Sequence, residues 1–145
     1  ADRDQRCGGV AAAGQEPRIL TAKDETRAAA RQIVREACAA GEKKCDAVVC
    51  LNDDIAIGVY RGLLDAGLRV PGNVAIIGYD SIDDTEFLEV PLTSVRQDAE
   101  KLVGRAWDLL WRRINEPGSE LVSDVLEPAL DIRKSCGSDM ALSAA

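Results

Sequence analysis

Two polar residues follow apolar runs in the middle of the chain, and their side chains could bind a small molecule rich in hydroxyls. Asn52 comes after the apolar run 47–51, and Asp80 comes after the run 74–78. A carboxylate can accept hydrogen bonds from two vicinal hydroxyls at once, and an amide offers both a donor and an acceptor. Open α/β sheets bind small molecules where their strands end. We therefore interpret region 46–97 as part of a sensor rather than of a catalyst.

The acids near Asp80 leave an enzymatic alternative open. Asp80 with Asp83 or Asp84 could act as paired carboxylates in acid–base chemistry, or could hold a metal. The sequence contains no histidine, which excludes a His-containing zinc site and a Ser-His-Asp or Cys-His nucleophile pair. We expect no enzymatic activity, and hence no catalytic residue, metal or cofactor.

Composition narrows the class of protein further. The 145 residues carry 18 basic and 25 acidic side chains, for a net charge of −7, and such a surface gives little reason to expect direct binding to nucleic acid. The five cysteines form no CxxC pair, and their odd number and irregular spacing indicate a reducing compartment. The chain has no apolar run near the roughly 20 residues that span a bilayer, and no signal-peptide layout at its start. We expect a cytoplasmic protein without membrane contact that lacks an N-terminal portion.

The elements that must position the polar residues alternate along the chain. Helical spacing predicts helices over 25–40, 55–66 and 98–115, the first capped by Asp24 and the second by Asn52 or Asp53. Residues 4–14 are predicted to end a further helix, and residues from 137 onward to form a disordered tail. Strands are predicted at 18–22, 47–51, 74–78, 92–97, 121–126 and 129–133. The continuous apolar run 47–51 is typical of a strand covered on both faces. Successive βα crossings predict an α/β fold with an open, mostly parallel sheet flanked by helices.

Four motifs occur in a fixed order and together carry a resemblance. They are Asn52-Asp53 followed by Ile55-Ala56-Ile57-Gly58, then Gly67-Leu68-Arg69-Val70-Pro71, then Val74-Ala75-Ile76-Ile77-Gly78-Tyr79-Asp80, and then Pro91-Leu92-Thr93-Ser94-Val95-Arg96-Gln97. Over 6–136 the chain resembles the sensor core of the lactose-repressor/galactose-repressor (LacI/GalR) family of bacterial transcription regulators, which is similar in fold to periplasmic sugar-binding proteins.

The resemblance implies a periplasmic-binding-protein-like fold of type I, in which an effector lies in the cleft between two lobes. Residues 1–97 match the C-terminal lobe without its opening strand, and 98–120 match a crossover helix that belongs to the N-terminal lobe in relatives. Residues 121–136 match closing strands, and 137–145 form the tail. Because no helix-turn-helix headpiece is present, we expect this C-terminal fragment to reach DNA only through a headpiece missing from this chain.

Four residues match positions that relatives use on their effectors. Arg6 stands in a segment similar to the family's Arg-x-x-Gly-aromatic motif, whose Arg reaches into the cleft, and a guanidinium there suits paired hydroxyls or a carboxylate. Asp80 matches an effector-contacting acid, and Asn52 matches a sugar-contacting position. Gln97 lies near the lobe junction, where it contacts either the ligand or the crossover backbone. For Asp53, capping the helix is the preferred interpretation.

The expected effector is a sugar or a related polyol. Relatives place aromatic rings in segments that here hold Asp24, Glu25 and Ala99, so a polar or cationic ligand would also fit. Helix 55–66 and loop 82–88 match surfaces that pair relatives two-fold, which predicts a homodimer. Trp107 and Trp111 are expected to pack in the core or between lobes rather than to stack on nucleobases. The main alternative is a periplasmic sugar-binding protein that serves an ABC transporter.

Overall fold

The described part of the computed structural model comprises residues 17–41 and 45–138. Within it, three α-helices, four strands and two 3₁₀ turns follow one another along the chain. The helices are α1 (Arg27–Ala39), α2 (Asp53–Asp65) and α3 (Ala99–Asn115); the strands are β1 (Ala47–Val49), β2 (Ala75–Tyr79), β3 (Thr93–Arg96) and β4 (Ala129–Asp131); the 3₁₀ turns are Asp83–Thr85 and Lys134–Cys136.

The four strands form one sheet in the order β1-β2-β3-β4. β1 pairs with β2 and β2 with β3 in parallel, whereas β3 and β4 are antiparallel. The prediction of an α/β fold with an open, mostly parallel sheet is confirmed, and observed strand ends fall close to the predicted ones for β2 and β3.

The core lies where α1 and α2 pack on each other and on the sheet. It is built from small and branched apolar residues, because the chain has few aromatics. Its buried members are Ala30, Val34, Cys50, Ala56, Val59, Tyr60, Leu63, Val70, Val74, Ile76 and Leu92. The two helices approach closely at Gly58, where an added Cβ would lie 2.3 Å from the carbonyl oxygen of Arg27.

The start of α1 differs from the prediction. Thr26 is the N-cap, since its hydroxyl accepts a hydrogen bond from the Ala29 N–H. Asp24 instead accepts hydrogen bonds from the backbone N–H of Thr26 at 3.1 Å and from its hydroxyl at 2.5 Å. The acid therefore orients the cap and does not cap the helix itself.

β1 is the edge strand of the described sheet. Its first and last residues, Ala47 and Val49, are exposed, so the prediction that this strand is covered on both faces is wrong. The predicted strand 18–22 is not formed, because these residues pair with none of the four strands. A strand needs hydrogen-bonded neighbours, which apolar composition alone does not supply.

The predicted strand 121–126 is also absent, for the same reason. The segment is exposed along its length and has no neighbour in the sheet, where β4 pairs only with β3. It is attached instead to α3, through an ion pair between Asp124 and Arg105. Residues 129–131 form the one strand in this closing region of the described chain.

α3 is a long amphipathic helix with no buried residue. Trp107 and Trp111 stack on each other with ring centroids 6.1 Å apart, and each of these two residues remains more than half exposed. Their predicted place in the core is therefore wrong for the described chain, and packing between lobes stays a prediction.

Two further predictions fall wholly or partly outside the described residues. The helix end at 4–14 lies outside them, and so does the tail from residue 139. Gly137 and Ser138, predicted to begin that tail, are half-buried. The Ser138 hydroxyl donates a hydrogen bond to the Arg133 carbonyl at 3.1 Å, so these two residues belong to the fold and not to a disordered tail.

Candidate functional site

Three of the four predicted site residues lie at one edge of the sheet. Asp80 directly follows the last residue of β2, and Gln97 directly follows the last residue of β3. Asn52 comes three residues after the end of β1. Because these strands are adjacent and parallel, their carboxyl ends meet at the same rim. Arg6 lies outside the described residues.

Asn52 is the N-cap of α2. Its side-chain oxygen accepts a hydrogen bond from the Ile55 N–H at 2.9 Å. Asn52 is half-buried. Its side-chain amide nitrogen can donate a hydrogen bond to a ligand. The preferred interpretation of Asp53 as the cap is wrong, because Asn52 makes that hydrogen bond.

Asp53 is instead a completely buried carboxylate. Its Oδ1 accepts a hydrogen bond from the Ser94 hydroxyl at 2.7 Å, and its Oδ2 accepts one from the Ile82 N–H at 2.9 Å. Gly78 leaves the space that this carboxylate occupies, since a Cβ there would lie 2.0 Å from Asp53 Oδ1. Charged hydrogen bonds of this kind offset the cost of removing the acid from water.

Sequence reasoning missed this role of Asp53. The signal is present only in the pairing of β2 with β3, which places Gly78 opposite Ser94. Once β2 and β3 are aligned, Gly78 is seen to leave room beside Ser94 for the buried carboxylate of Asp53.

The backbone at Asp80 and Ser81 adopts the left-handed region, with φ of 107° and 55°. This region is unfavourable for residues other than glycine. The N–H groups of both residues donate hydrogen bonds, Asp80 to the Val95 carbonyl at 2.8 Å and Ser81 to the Ser94 hydroxyl at 3.0 Å. The turn is therefore fastened to β3 through its backbone.

The side chain of Ser81 is fastened to β4. Its hydroxyl donates a hydrogen bond to Asp131 Oδ2 at 2.6 Å, and Asp131 also forms an ion pair with Arg96 at 3.0 Å. The hydrogen bond from Ser81 lowers the pKa of Asp131, and the contacts with Arg96 and the nearby Arg133 act in the same direction. Asp131 is thus a carboxylate whose charged form the fold favours.

Gln97 contacts the neighbouring strand end. Its side-chain nitrogen donates a hydrogen bond to the hydroxyl of Tyr79 at 2.9 Å. This contact joins the ends of β2 and β3 on either side of Asp80, and it fixes the Gln97 amide at the rim.

One of the acids considered for catalysis, Asp84, is paired with an arginine. Asp84 forms an ion pair with Arg27 at 2.6 Å, and Arg27 also pairs with Asp54 at 2.6 Å. Across residues 17–41 and 45–138, no group of three or more histidine, cysteine or acidic side chains is placed to hold a metal ion.

The rim is an open surface in the described chain. One groove of about 440 Å³ lies between the C-terminal ends of α1 and α2, and another of about 240 Å³ lies beside α3. Neither groove is lined by Asn52, Asp80 or Gln97. These three residues follow the ends of adjacent parallel strands instead, which makes the rim the candidate site.

The sequence matches the periplasmic binding protein-like domain family over residues 5–136. The chain belongs to this family. The resemblance of region 52–97 to the sensor core of LacI/GalR regulators agrees with this match. In the described ranges, no helix has both the length and the apolar character that a membrane crossing requires.

Curated relatives of this periplasmic binding protein-like chain are bacterial repressors. It is 44% identical over 89 residues to the HTH-type transcriptional repressor PurR of Pasteurella multocida, a match that covers 61% of this chain and 27% of that protein. It is 37% identical over 89 residues to the ribose operon repressor of Haemophilus influenzae, with 61% and 27% covered. The chain thus spans little more than a quarter of these relatives.

Solved structures of LacI-type regulators have the same fold. A LacI family transcriptional regulator from Enterococcus faecalis with bound ribose superposes with a TM-score of 0.79 at 28% identity, over 92% of this chain and 48% of that one. The transcriptional regulator CelR in complex with cellobiose gives a TM-score of 0.76 at 34% identity, over 88% of this chain and 39% of that one.

Proposed function

We propose that this chain is the effector-sensing part of a LacI/GalR-type transcription regulator, and that its effector is a sugar or a related polyol. The observation that carries the proposal is the placement of Asn52, Asp80 and Gln97 at the ends of three adjacent strands. The sugars bound to its structural neighbours support the same ligand class.

Each side chain at the rim has a distinct part in binding. The Asp80 carboxylate accepts hydrogen bonds from two neighbouring hydroxyls, which orients a sugar ring. The oxygen of Asn52 is engaged by the α2 cap, so its amide nitrogen donates to the ligand. Gln97 borders the same surface, and we propose that Arg6 adds a guanidinium from the segment that precedes residue 17. No bond is made or broken.

The exposed apolar face of α3 is evidence for a second lobe that covers it. Its apolar side chains are about half exposed, Trp107 by 59% and Trp111 by 56%, and such a stripe normally faces a core. We propose that residues 98–120 pack on the N-terminal lobe and that an effector bridges both lobes. Such a ligand would shift an open–closed equilibrium by its difference in affinity for the two states.

The proposal also includes a second copy of this chain and DNA as partners. Val59, Tyr60 and Leu63 belong to the core, so a two-fold contact through α2 would use its other face. Phe87, which is 86% exposed in loop 82–88, is a suitable anchor for a homodimer. We propose that DNA is bound through a headpiece outside this chain, and that the protein acts in the cytoplasm.

Relatives also bear on the two alternatives. The two curated relatives described above are repressors, which favours a regulator over a solute-binding protein of a transporter and over an enzyme. The ion pair of Asp84 with Arg27 further weakens the case for paired catalytic carboxylates.

The proposal can be tested by thermal unfolding of the full-length gene product. A ligand that binds only the folded state at 100 times its Kd adds about 2.7 kcal/mol to the free energy of unfolding. We expect at least one of D-ribose, lactose and cellobiose to raise the Tm. Asp80→Asn should abolish that rise, while the matched variant Asp83→Asn, three positions away, should keep it. Equal rises in both variants would contradict the role of Asp80, and no rise with any of the sugars in the parent would contradict the proposed ligand class.

A further inference from the structure

The turn that carries Asp80 is held by hydrogen bonds from three successive residues. The N–H groups of three successive residues all donate hydrogen bonds: Asp80 to β3, Ser81 to Ser94, and Ile82 to Asp53. The Ser81 hydroxyl donates a fourth, to Asp131 on β4. Two of these residues occupy the left-handed region, where an unsupported backbone would not remain.

We propose that Asp53, Ser94 and Asp131 are positioning residues, which hold the turn at Asp80 and Ser81 in its left-handed conformation and so fix where the Asp80 carboxylate meets an effector. This proposal rests on the proposed function for the role of Asp80. We refer to these three residues as the turn clamp.

The buried half of the turn clamp is fully satisfied. The Ser94 hydroxyl donates to Asp53 and accepts from the Ser81 N–H, so one rotamer serves both partners. Asp53 and Ser94 are both completely buried, so solvent does not reach either residue. Loss of the Ser94 hydroxyl would leave Asp53 and the Ser81 N–H short of partners, which favours rearrangement of the turn.

The other half of the turn clamp comes from the strand that follows α3. Asp131 on β4 accepts a hydrogen bond from the Ser81 hydroxyl. It also forms an ion pair with Arg96, the last residue of β3 before the chain enters α3. The points at which the chain leaves the sheet for α3 and returns from it are therefore joined to each other and to the residue beside Asp80.

Four variants of the full-length protein test the proposal: Asp131→Ala, Ser94→Ala, Asp131→Asn and Asp124→Ala. Asp131→Asn keeps an oxygen that accepts from Ser81. Asp124→Ala is the matched control, because Asp124 is also a carboxylate paired with an arginine, Arg105, but it lies beside α3. Crystal structures without ligand give the φ angles of residues 80 and 81, and calorimetric titration with D-ribose, lactose and cellobiose gives the affinity.

We expect Asp131→Ala and Ser94→Ala to move the turn out of the left-handed region and to weaken sugar binding at least tenfold. Asp131→Asn and Asp124→Ala should retain both properties. If Ser94→Ala fails to fold, Asp131→Ala, at a partly exposed site, decides the question. A left-handed turn in a folded Asp131→Ala variant overturns the proposal. Because the φ angles need no ligand, a parent that binds none of the three sugars would refute the proposed function and still leave the turn clamp decided by its structures.

Discussion

The carboxylate of Asp53 accepts a hydrogen bond from the hydroxyl of Ser94, 41 positions further along the chain. The contact joins the start of α2 to the middle of β3 inside the core. It also separates the roles of two neighbours, because Asn52 caps the helix at the rim and Asp53 supports the rim from below.

Two glycines in the middle of helices should respond oppositely to alanine. In Gly58→Ala the new Cβ would meet the Arg27 carbonyl oxygen at 2.3 Å and the Ala30 Cβ at 2.8 Å, whereas Gly104 has nothing within 4 Å. We expect Gly58→Ala to destabilise the protein by about 1–3 kcal/mol through overpacking. Gly104→Ala should stabilise it by about 0.5–1 kcal/mol through helix propensity. Urea denaturation of both variants checks this, and a loss of stability in both would contradict the assignment of Gly104 to an open helix face.

The two roles of Asn52 can be separated by substitution. Asn52→Ala removes the cap of α2, which should lower the free energy of unfolding by about 1 kcal/mol. Asn52→Ser keeps a capping oxygen and should leave stability near that of the parent, but it removes the amide donor. Denaturant unfolding measures the first effect, and the sugar-induced Tm rise measures the second. A Ser variant that retains the full Tm rise would exclude Asn52 from ligand binding.

The lowered pKa of Asp131 predicts a pH dependence of stability. A carboxylate with a folded pKa below its ordinary value of 3.8 contributes stability above the unfolded pKa, and that contribution is lost as the pH falls through the folded pKa. Asp131→Asn has no such titration. We therefore expect the parent to exceed this variant in stability at pH 6 and the difference to shrink below pH 4. Urea titrations at several pH values measure it, and a constant difference would contradict the prediction.

The cysteines should differ in reactivity in the native state. Burial raises the pKa of Cys50 to about 12, with a further contribution from Asp53, whereas Cys38 and Cys45 are exposed. Since the thiolate is the reactive form, iodoacetamide at pH 8 should label Cys38 and Cys45 and spare Cys50. Peptide mapping by mass spectrometry reads the three sites separately, and labelling in denaturant is the control. Native labelling of Cys50 at the rate of Cys45 would contradict its burial.

Much of the architecture was predictable from local patterns. The helical spacing of apolar residues predicts all three described helices to within two residues at either end. The apolar run before Asp80 predicts β2, and the short segment after Pro91 predicts β3. The strands predicted at 18–22 and 121–126 are wrong, because apolar composition does not reveal whether a neighbouring strand exists.

The candidate site divides in the same way. The sequence alone determined that Asn52, Asp80 and Gln97 end successive strands, since that depends on residue order and on a pattern repeated over a few positions. Only the tertiary structure decided that Asn52 is the cap, that Asp53 is buried against Ser94, and that Asp131 reaches Ser81 across the sheet. These contacts join residues that are distant along the chain, and their formation depends on strand register and on the space left by Gly78, neither of which any short segment specifies.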